Sequence, residues 1–172
     1  MSFKPYMNEN ETQLLTTYYK RATNYFEFGA GGSTSHAIKN NIQNIESVET
    51  DKLWVEQIIK DKAVLNKVKN KTLKIHLFPL NFEWTKAVSW KDGHNEYLET
   101  CDKSIWSNYS KLIRKCNLKL DLVLVDGRFR VASVLETIKK VDNDCIILIH
   151  DYRQTPPPTT RGYEIVEKYL DI

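Results

Sequence analysis

One segment near the N-terminus constrains the fold more than any other, because an apolar run leads directly into a cluster of glycines and hydroxyl residues. The segment is Tyr25-Phe26-Glu27-Phe28-Gly29-Ala30-Gly31-Gly32-Ser33-Thr34. Glycines at a strand-to-helix turn let the backbone approach a ligand where a Cβ would collide. Ser33 or Thr34 would cap the helix that follows. The segment therefore predicts a strand, a tight turn that holds a nucleotide-like cofactor, and a helix.

The rest of the chain alternates β-rich runs with helical patterns. The predicted strands are 24–28, 44–49, 72–78, 120–126 and 144–150, and the predicted helices are 11–21, 33–40, 52–65, 104–115, 130–140 and 162–170. Continuous apolar runs such as 122–125 are typical of strands buried on both faces of a parallel sheet. This alternation predicts an α/β fold, a doubly wound and mainly parallel sheet in a three-layer α/β/α arrangement.

Composition excludes several classes of protein. The 172 residues predict a single domain, 1–172, and a hydrophobic fraction of 41% is ordinary for a globular protein. The net charge of +3 comes from basic residues scattered among acids, whereas nucleic-acid binding needs a concentrated basic face. Three cysteines without C-x-x-C spacing indicate reduced thiols. Without a signal pattern or a membrane-spanning run, the sequence predicts a cytoplasmic protein with no nucleic-acid or membrane partner.

An aromatic-rich insertion at about 79–117 interrupts the alternation. It contains Trp84, Trp90, Trp106 and Tyr109, between the third and fourth predicted strands. These side chains either cover the sheet and fill the core or form a lid over a cofactor, since function often collects on such excursions. The sequence leaves both interpretations open.

Two kinds of cofactor fit the glycine turn, a dinucleotide such as NAD and S-adenosylmethionine. The dinucleotide pattern G-x-G-x-x-G/A needs a small residue where this chain has Thr34. Glu27 would repel a pyrophosphate but can accept hydrogen bonds from the ammonium of a methionine-like tail. Glu49 ends the second predicted strand, where a carboxylate can bind both ribose hydroxyls; alternatively Glu49 or Asp51 only caps the next helix. The pattern favours S-adenosylmethionine.

Four segments together resemble class I S-adenosylmethionine-dependent methyltransferases. They are Glu27-Phe28-Gly29-Ala30-Gly31-Gly32-Ser33-Thr34, Ser47-Val48-Glu49-Thr50-Asp51, Val125-Asp126-Gly127-Arg128 and Leu148-Ile149-His150-Asp151-Tyr152. The last two are more narrowly similar to methyltransferase-like domains of glycan biosynthesis, including domains that large DNA viruses encode and that would work in the host cytoplasm. The resemblance implies a Rossmann-like methyltransferase fold. Because such enzymes usually add two more strands beyond the point where this chain ends, a shortened sheet or a homodimer through the sheet edge is expected.

The resemblance also implies a cofactor site. The residues expected to hold the methionine portion, the ribose and the reacting end of S-adenosylmethionine are Glu27, Gly29, Ala30, Gly31, Gly32, Ser33, Thr34, Glu49 and Asp126. A residue near Leu80-Asn81 would border the adenine. The product would be S-adenosylhomocysteine.

The catalytic residues are predicted at the ends of the fourth and fifth strands, where ligands of parallel sheets collect. Asp126, His150 and Asp151 stand there. Histidine suits proton removal from a hydroxyl because its pKa lies near neutrality. We predict His150 or Asp126 as the general base and Asp151 as an orienting residue. Alternatively, His150 is a core histidine and Asp151 caps a turn.

Arg128, Arg130 and Tyr152 are the predicted substrate-binding residues. On an extended turn, the two arginines would point the same way and grip a phosphate or an acidic sugar. Alternatively, one of them pairs with Asp126 or Asp151.

The sequence therefore predicts an O-methyltransferase acting on a sugar, nucleotide-sugar or glycan hydroxyl. One alternative is a catechol-type enzyme that binds Mg²⁺ or Mn²⁺ through Asp126 and Asp151, although Tyr152 stands where an amide ligand would be expected. Others are a non-catalytic domain that binds the cofactor or a partner, and a nicotinamide-dependent oxidoreductase, which Thr34 and Glu27 disfavour.

Overall fold

A parallel β-sheet lies at the centre of the described part of the fold. The computed structural model describes residues 3–79, 103–152 and 163–170, and within them five parallel strands lie in the order β3-β2-β1-β4-β5. The strands are β1 Asn24–Phe28, β2 Asn44–Glu49, β3 Leu73–Leu77, β4 Leu122–Val125 and β5 Ile146–Ile149. The predicted doubly wound sheet is confirmed.

Helices cover both faces of this sheet. They are α1 Glu9–Tyr19, α2 Gly32–Lys39, α3 Lys52–Ile58, α4 Lys62–Lys69, α5 Lys103–Ser110 and α6 Arg130–Ile138, with 3-10 segments at Lys111–Lys115 and Tyr163–Tyr169. One buried cluster joins the sheet to α1, α2 and α4 through residues such as Leu15 and Tyr25. The other, on the opposite face, includes Phe28, Val123 and Ile113. The three-layer arrangement follows from these two cores.

The element boundaries differ from the prediction at a few places. The predicted helix 52–65 is two helices, because the side chain of Asp61 accepts a hydrogen bond from the Ala63 backbone N–H at 2.9 Å and starts α4. Helix α1 begins two residues early, where Asn8 and Glu11 form a reciprocal capping box. The last predicted helix is a 3-10 segment.

The carboxyl ends of the central strands meet at one edge of the sheet. The Gly29 N–H donates to the Val48 carbonyl at 2.8 Å, and the Asp126 N–H donates to the Phe28 carbonyl at 3.0 Å. The chain reverses its strand order between β1 and β4, which is the place where open α/β sheets bind ligands. A ligand site is therefore expected at the carboxyl ends of these strands.

The aromatic insertion is only partly described. Tyr109 is 1% exposed and packs against Phe28 and Phe78, so it fills the core. Trp84, Trp90, the side chain of Trp106 and the expected adenine neighbours Leu80-Asn81 lie outside the described residues. In the part of the chain that the structure describes, no helix has the length and apolar character to span a membrane.

Candidate functional site

The glycine turn is held in a conformation that requires its glycines. Gly29 has φ +96°, a left-handed value that favours glycine, and a Cβ there would lie 3.0 Å from the Gly127 backbone. The helix begins at Gly32 with Gly31 as its N-cap, so the predicted capping by Ser33 or Thr34 is wrong. The Thr34 hydroxyl instead accepts a hydrogen bond from the Gly31 N–H at 2.9 Å and closes the turn from inside the helix.

Glu27 lies beneath this turn and is completely buried. Its carboxylate accepts hydrogen bonds from the hydroxyls of Tyr25 at 2.9 Å, Ser33 at 2.7 Å and Ser47 at 2.6 Å, and from that of Thr34. Burial raises the pKa of Glu27, while these hydroxyls oppose the shift. A direct contact between Glu27 and the cofactor's ammonium does not fit this placement. Glu27 instead ties the turn to β2.

The N-terminal segment packs against the other side of the turn. A Cβ on Gly32 would lie 1.9 Å from the carbonyl oxygen of Lys4, so the absence of a side chain admits the chain's own backbone. The Phe3 ring contacts Trp54 edge-on at 5.5 Å, and the Trp54 indole N–H donates to the Ala30 carbonyl at 2.8 Å. Ala30 thus contacts Trp54, and Gly32 lies against Lys4. The sequence did not predict either contact.

Glu49 ends β2 beside the turn. Its Oε1 accepts hydrogen bonds from the backbone N–H groups of Thr50 at 2.6 Å and Asp51 at 3.0 Å. Among the residues that the structure describes, none donates to Oε2. Partial burial raises the pKa of Glu49. The capping role belongs to Asp51, which accepts from the Trp54 N–H at 3.0 Å. One oxygen of Glu49 therefore fixes the side chain while the other can accept from a ligand.

Asp126 and His150 form a hydrogen-bonded pair across β4 and β5. His150 Nδ1 lies 2.7 Å from Asp126 Oδ1, and its Nε2 lies 3.6 Å from Glu11 Oε2 and 3.8 Å from Asp151 Oδ1. The hydrogen bond to Asp126 is the main reason that the pKa of His150 is raised above its ordinary value, against the lowering effect of burial. The structure therefore brings the three predicted catalytic residues together and adds Glu11, from α1.

Arg130 is held inside this cluster. Its guanidinium donates to the carbonyl of His150 at 2.5 Å and to Asp126 Oδ1 at 3.2 Å, and lies 3.5 Å from Asp151 Oδ2. The intervening Phe129 has φ +52°, so the turn is not extended and the two arginines do not alternate along it. The alternative, in which one of the arginines pairs with Asp126 or Asp151, is confirmed for Arg130, and binding of substrate by Arg130 stays a prediction.

Arg128 and Tyr152 lie at the margin of the cluster. The Arg128 backbone N–H lies 3.3 Å from the Tyr109 hydroxyl, which accepts its hydrogen bond. Tyr152 donates its hydroxyl hydrogen to Glu167 in the last 3-10 segment. Binding of substrate by Arg128 and Tyr152 stays a prediction.

The cluster of Asp126, Asp151 and Arg130 also concerns the alternative of a metal-dependent, catechol-type enzyme. The guanidinium of Arg130 reaches both Asp126 and Asp151, the two carboxylates that would bind a divalent cation. A fixed positive charge between two carboxylates opposes a second cation there. Within residues 3–79, 103–152 and 163–170, no group of three or more histidine, cysteine or acidic side chains is arranged to hold a metal ion.

Gly127 offers a test of the close approach between β1 and β4. A Cβ there would lie 2.4 Å from the Tyr109 hydroxyl and 2.9 Å from backbone atoms of Phe28 and Gly29. We expect Gly127→Ala to lower the free energy of unfolding by about 1–3 kcal/mol, because the backbone must shift. In Gly31→Ala the new Cβ meets nothing closer than 3.4 Å, so urea denaturation should show a smaller loss. Equal losses in both variants would contradict the packing argument.

Comparisons with known proteins agree with this architecture. No protein-family model matches the sequence, and no curated protein does either. Solved structures do: a methyltransferase-like protein of Silicibacter pomeroyi is 25% identical, with a TM-score of 0.69 over 98% of this chain and 81% of its own. TomG, an O-methyltransferase of Streptomyces achromogenes involved in tomaymycin synthesis and solved with S-adenosylmethionine, is 12% identical, with a TM-score of 0.56 over 95% and 69%. This chain has the Rossmann-like methyltransferase fold, like that methyltransferase-like protein and that O-methyltransferase.

Proposed function

We propose that this protein is an S-adenosylmethionine-dependent O-methyltransferase. The observation that carries the proposal is the placement of three features at one sheet edge: the glycine turn, the open Oε2 of Glu49 and the Asp126–His150 pair. The turn lies between Glu49 and the pair, so a ligand held by the turn can reach both. The likeness to the methyltransferase-like protein of Silicibacter pomeroyi over nearly the whole chain supports this proposal.

The residues present fit the cofactor. The backbone of Gly29 and Gly31 can approach the methionine portion, and Glu49 Oε2 can accept from the ribose hydroxyls, because its other oxygen already fixes the side chain. When bound, S-adenosylmethionine supplies an electrophilic methyl group and leaves as S-adenosylhomocysteine. Glu27 acts indirectly, because its four hydroxyl partners hold the turn in place.

His150 is the group best placed to take the proton of the acceptor hydroxyl. Asp126 accepts the hydrogen of Nδ1, so the lone pair of the neutral ring lies on Nε2. The proton that the acceptor hydroxyl loses would pass to Nε2. Arg130 fixes the backbone and the carboxylates on both sides of the ring. Asp126 thus orients the base, a role that we assign in preference to base catalysis by Asp126 itself.

The identity of the acceptor molecule rests on the sequence alone. A sugar, nucleotide-sugar or glycan hydroxyl as the acceptor stays a prediction from the sequence, as does the binding of an anionic acceptor group by Arg128. Dimerisation through the sheet edge and location in the cytoplasm, of the host cell if the protein is viral, also stay predictions. Transfer of a labelled methyl group would separate an enzyme from a domain that only binds the cofactor.

The rate of methyl transfer should depend on pH through His150. Because the Asp126 hydrogen bond favours the imidazolium, its pKa is raised, and the neutral base is fully formed only above that value. We therefore expect kcat/KM to rise with pH, with an apparent pKa above the usual 6.5 of histidine. In Asp126→Asn the apparent pKa should fall. A profile that is flat, or identical in the variant, would contradict the role of His150.

A further inference from the structure

A cleft of about 340 Å³ opens between α1 and the β4–β5 half of the sheet. Its walls are apolar, with Met7, Leu14 and Leu15 on one side and Leu124 and Leu148 on the other. Small-molecule sites usually measure roughly 300–1,000 Å³ and have mostly apolar walls with few polar groups. The cleft is therefore large enough for a molecule of one or two rings.

The polar groups of the cleft gather where the strands end. Glu11, His150, Asp151 and Tyr152 line it there, and His150 is the base assigned above. Nε2 of His150 lies on the side of Glu11 and Asp151, at 3.6 and 3.8 Å from their carboxylate oxygens, whereas Nδ1 faces Asp126. The atom that would receive the acceptor proton thus faces other polar residues of the cleft.

The cleft is separate from the determinants of cofactor binding. The glycine turn follows β1 and Glu49 ends β2, whereas the cleft lies on β4 and β5 and is closed by α1. A molecule in the cleft would therefore approach the strand ends from the side opposite Glu49. Two ligands bound in this way would meet near His150, as methyl transfer requires.

The apolar walls decide the chemical class of the molecule. Away from the polar end of the cleft, each sugar hydroxyl removed from water without a partner costs about 1–3 kcal/mol, and the leucine and methionine side chains there offer no partner. A ring or alkyl group with one hydroxyl would bury its apolar part against Leu14 and Leu148 and present its hydroxyl to His150. We infer that this cleft is the acceptor site and that it takes a small apolar alcohol or phenol, an inference that rests on the proposed function.

Binding of 2-naphthol, followed by its fluorescence, tests the inference directly. We expect saturable binding to the full chain that is unaffected by excess methyl glucoside. Leu14 is 53% exposed at the cleft, so Leu14→Trp can fill the space without disturbing the core. This change should weaken binding by about tenfold or more, or roughly 1.4 kcal/mol. Val68→Trp, at a 36% exposed position on α4 outside the cleft, is the matched control and should bind as the unchanged protein does.

The outcomes separate this inference from the proposed function. Calorimetry with S-adenosylhomocysteine on the same proteins should give equal affinities in both tryptophan variants, and labelled methyl should pass to 2-naphthol in preference to methyl glucoside. If S-adenosylhomocysteine binds but 2-naphthol does not, or binds equally to Leu14→Trp, the inference alone fails. If methyl glucoside is the preferred acceptor, the inference also fails while the function stands. If S-adenosylhomocysteine does not bind, the proposed function fails and the cleft is not an acceptor site.

Discussion

Replacing Glu27 with alanine should lower the free energy of unfolding by about 3 kcal/mol or more, because it leaves several buried hydroxyls without an acceptor and opens a cavity. Glu27 is fully buried and receives hydrogen bonds from Tyr25, Ser33, Thr34 and Ser47. Urea denaturation measures the loss. The same variant should lose affinity for S-adenosylhomocysteine, because the glycine turn is no longer tied to β2.

Two control variants make the Glu27 experiment specific. Glu27→Gln keeps a carbonyl oxygen in the network and should lose less stability than the alanine variant. Glu56 pairs with Lys52 at 4.0 Å on an exposed face of α3, so Glu56→Ala should change the free energy of unfolding by no more than about 0.5 kcal/mol. A loss in Glu27→Ala no larger than in Glu56→Ala would show that the buried network does not hold the turn.

Replacing His150 with alanine should lower kcat by about 10²–10⁴-fold, the usual contribution of a positioned general base. The affinity for S-adenosylhomocysteine should change little, because His150 follows β5 whereas the glycine turn follows β1 and Glu49 ends β2. Single-turnover transfer of a labelled methyl group, together with calorimetry, separates the two effects.

His36 provides the control for the His150 experiment. It lies on α2, where its Nε2 is 2.7 Å from the Thr16 hydroxyl oxygen. His36→Ala should therefore leave kcat nearly unchanged in protein that is folded. If His150→Ala retains full activity, or loses cofactor affinity and rate together, His150 is a structural residue and the proposed proton transfer is wrong.

The strands and their order along the chain follow from local pattern. The bounds of β1 and β2 agree with the prediction, and the glycines that follow Phe28 end β1. The predicted helix 52–65 was divided because one aspartate, Asp61, can act either as a surface residue or as a cap. Periodicity does not separate these two states.

The side-chain directions at the site could not be read in the same way. Spacing predicted a carboxylate at the tip of β1, but burial of Glu27 depends on hydroxyls from α2 and β2 that meet only in the folded chain. The direction of the Arg130 side chain could not be predicted because a left-handed Phe129 is rare for a residue without special turn preference. In the sequence Glu11 was only the first residue of the predicted helix 11–21, and its approach to His150 depends on how α1 packs.

Calorimetric titration with S-adenosylhomocysteine, on the unchanged protein and on Glu49→Ala, tests the central claim most directly. We predict that the unchanged protein binds with a Kd of about 1 μM. Glu49→Ala should weaken this binding at least tenfold, because it removes the carboxylate that would accept hydrogen bonds from the ribose. A hydrogen bond to a charged group contributes about 1.5–3 kcal/mol. Glu56→Ala should bind as the unchanged protein does, and NADH should not bind. Failure of the folded protein to bind S-adenosylhomocysteine, or binding of NADH in its place, would contradict the assignment as a methyltransferase.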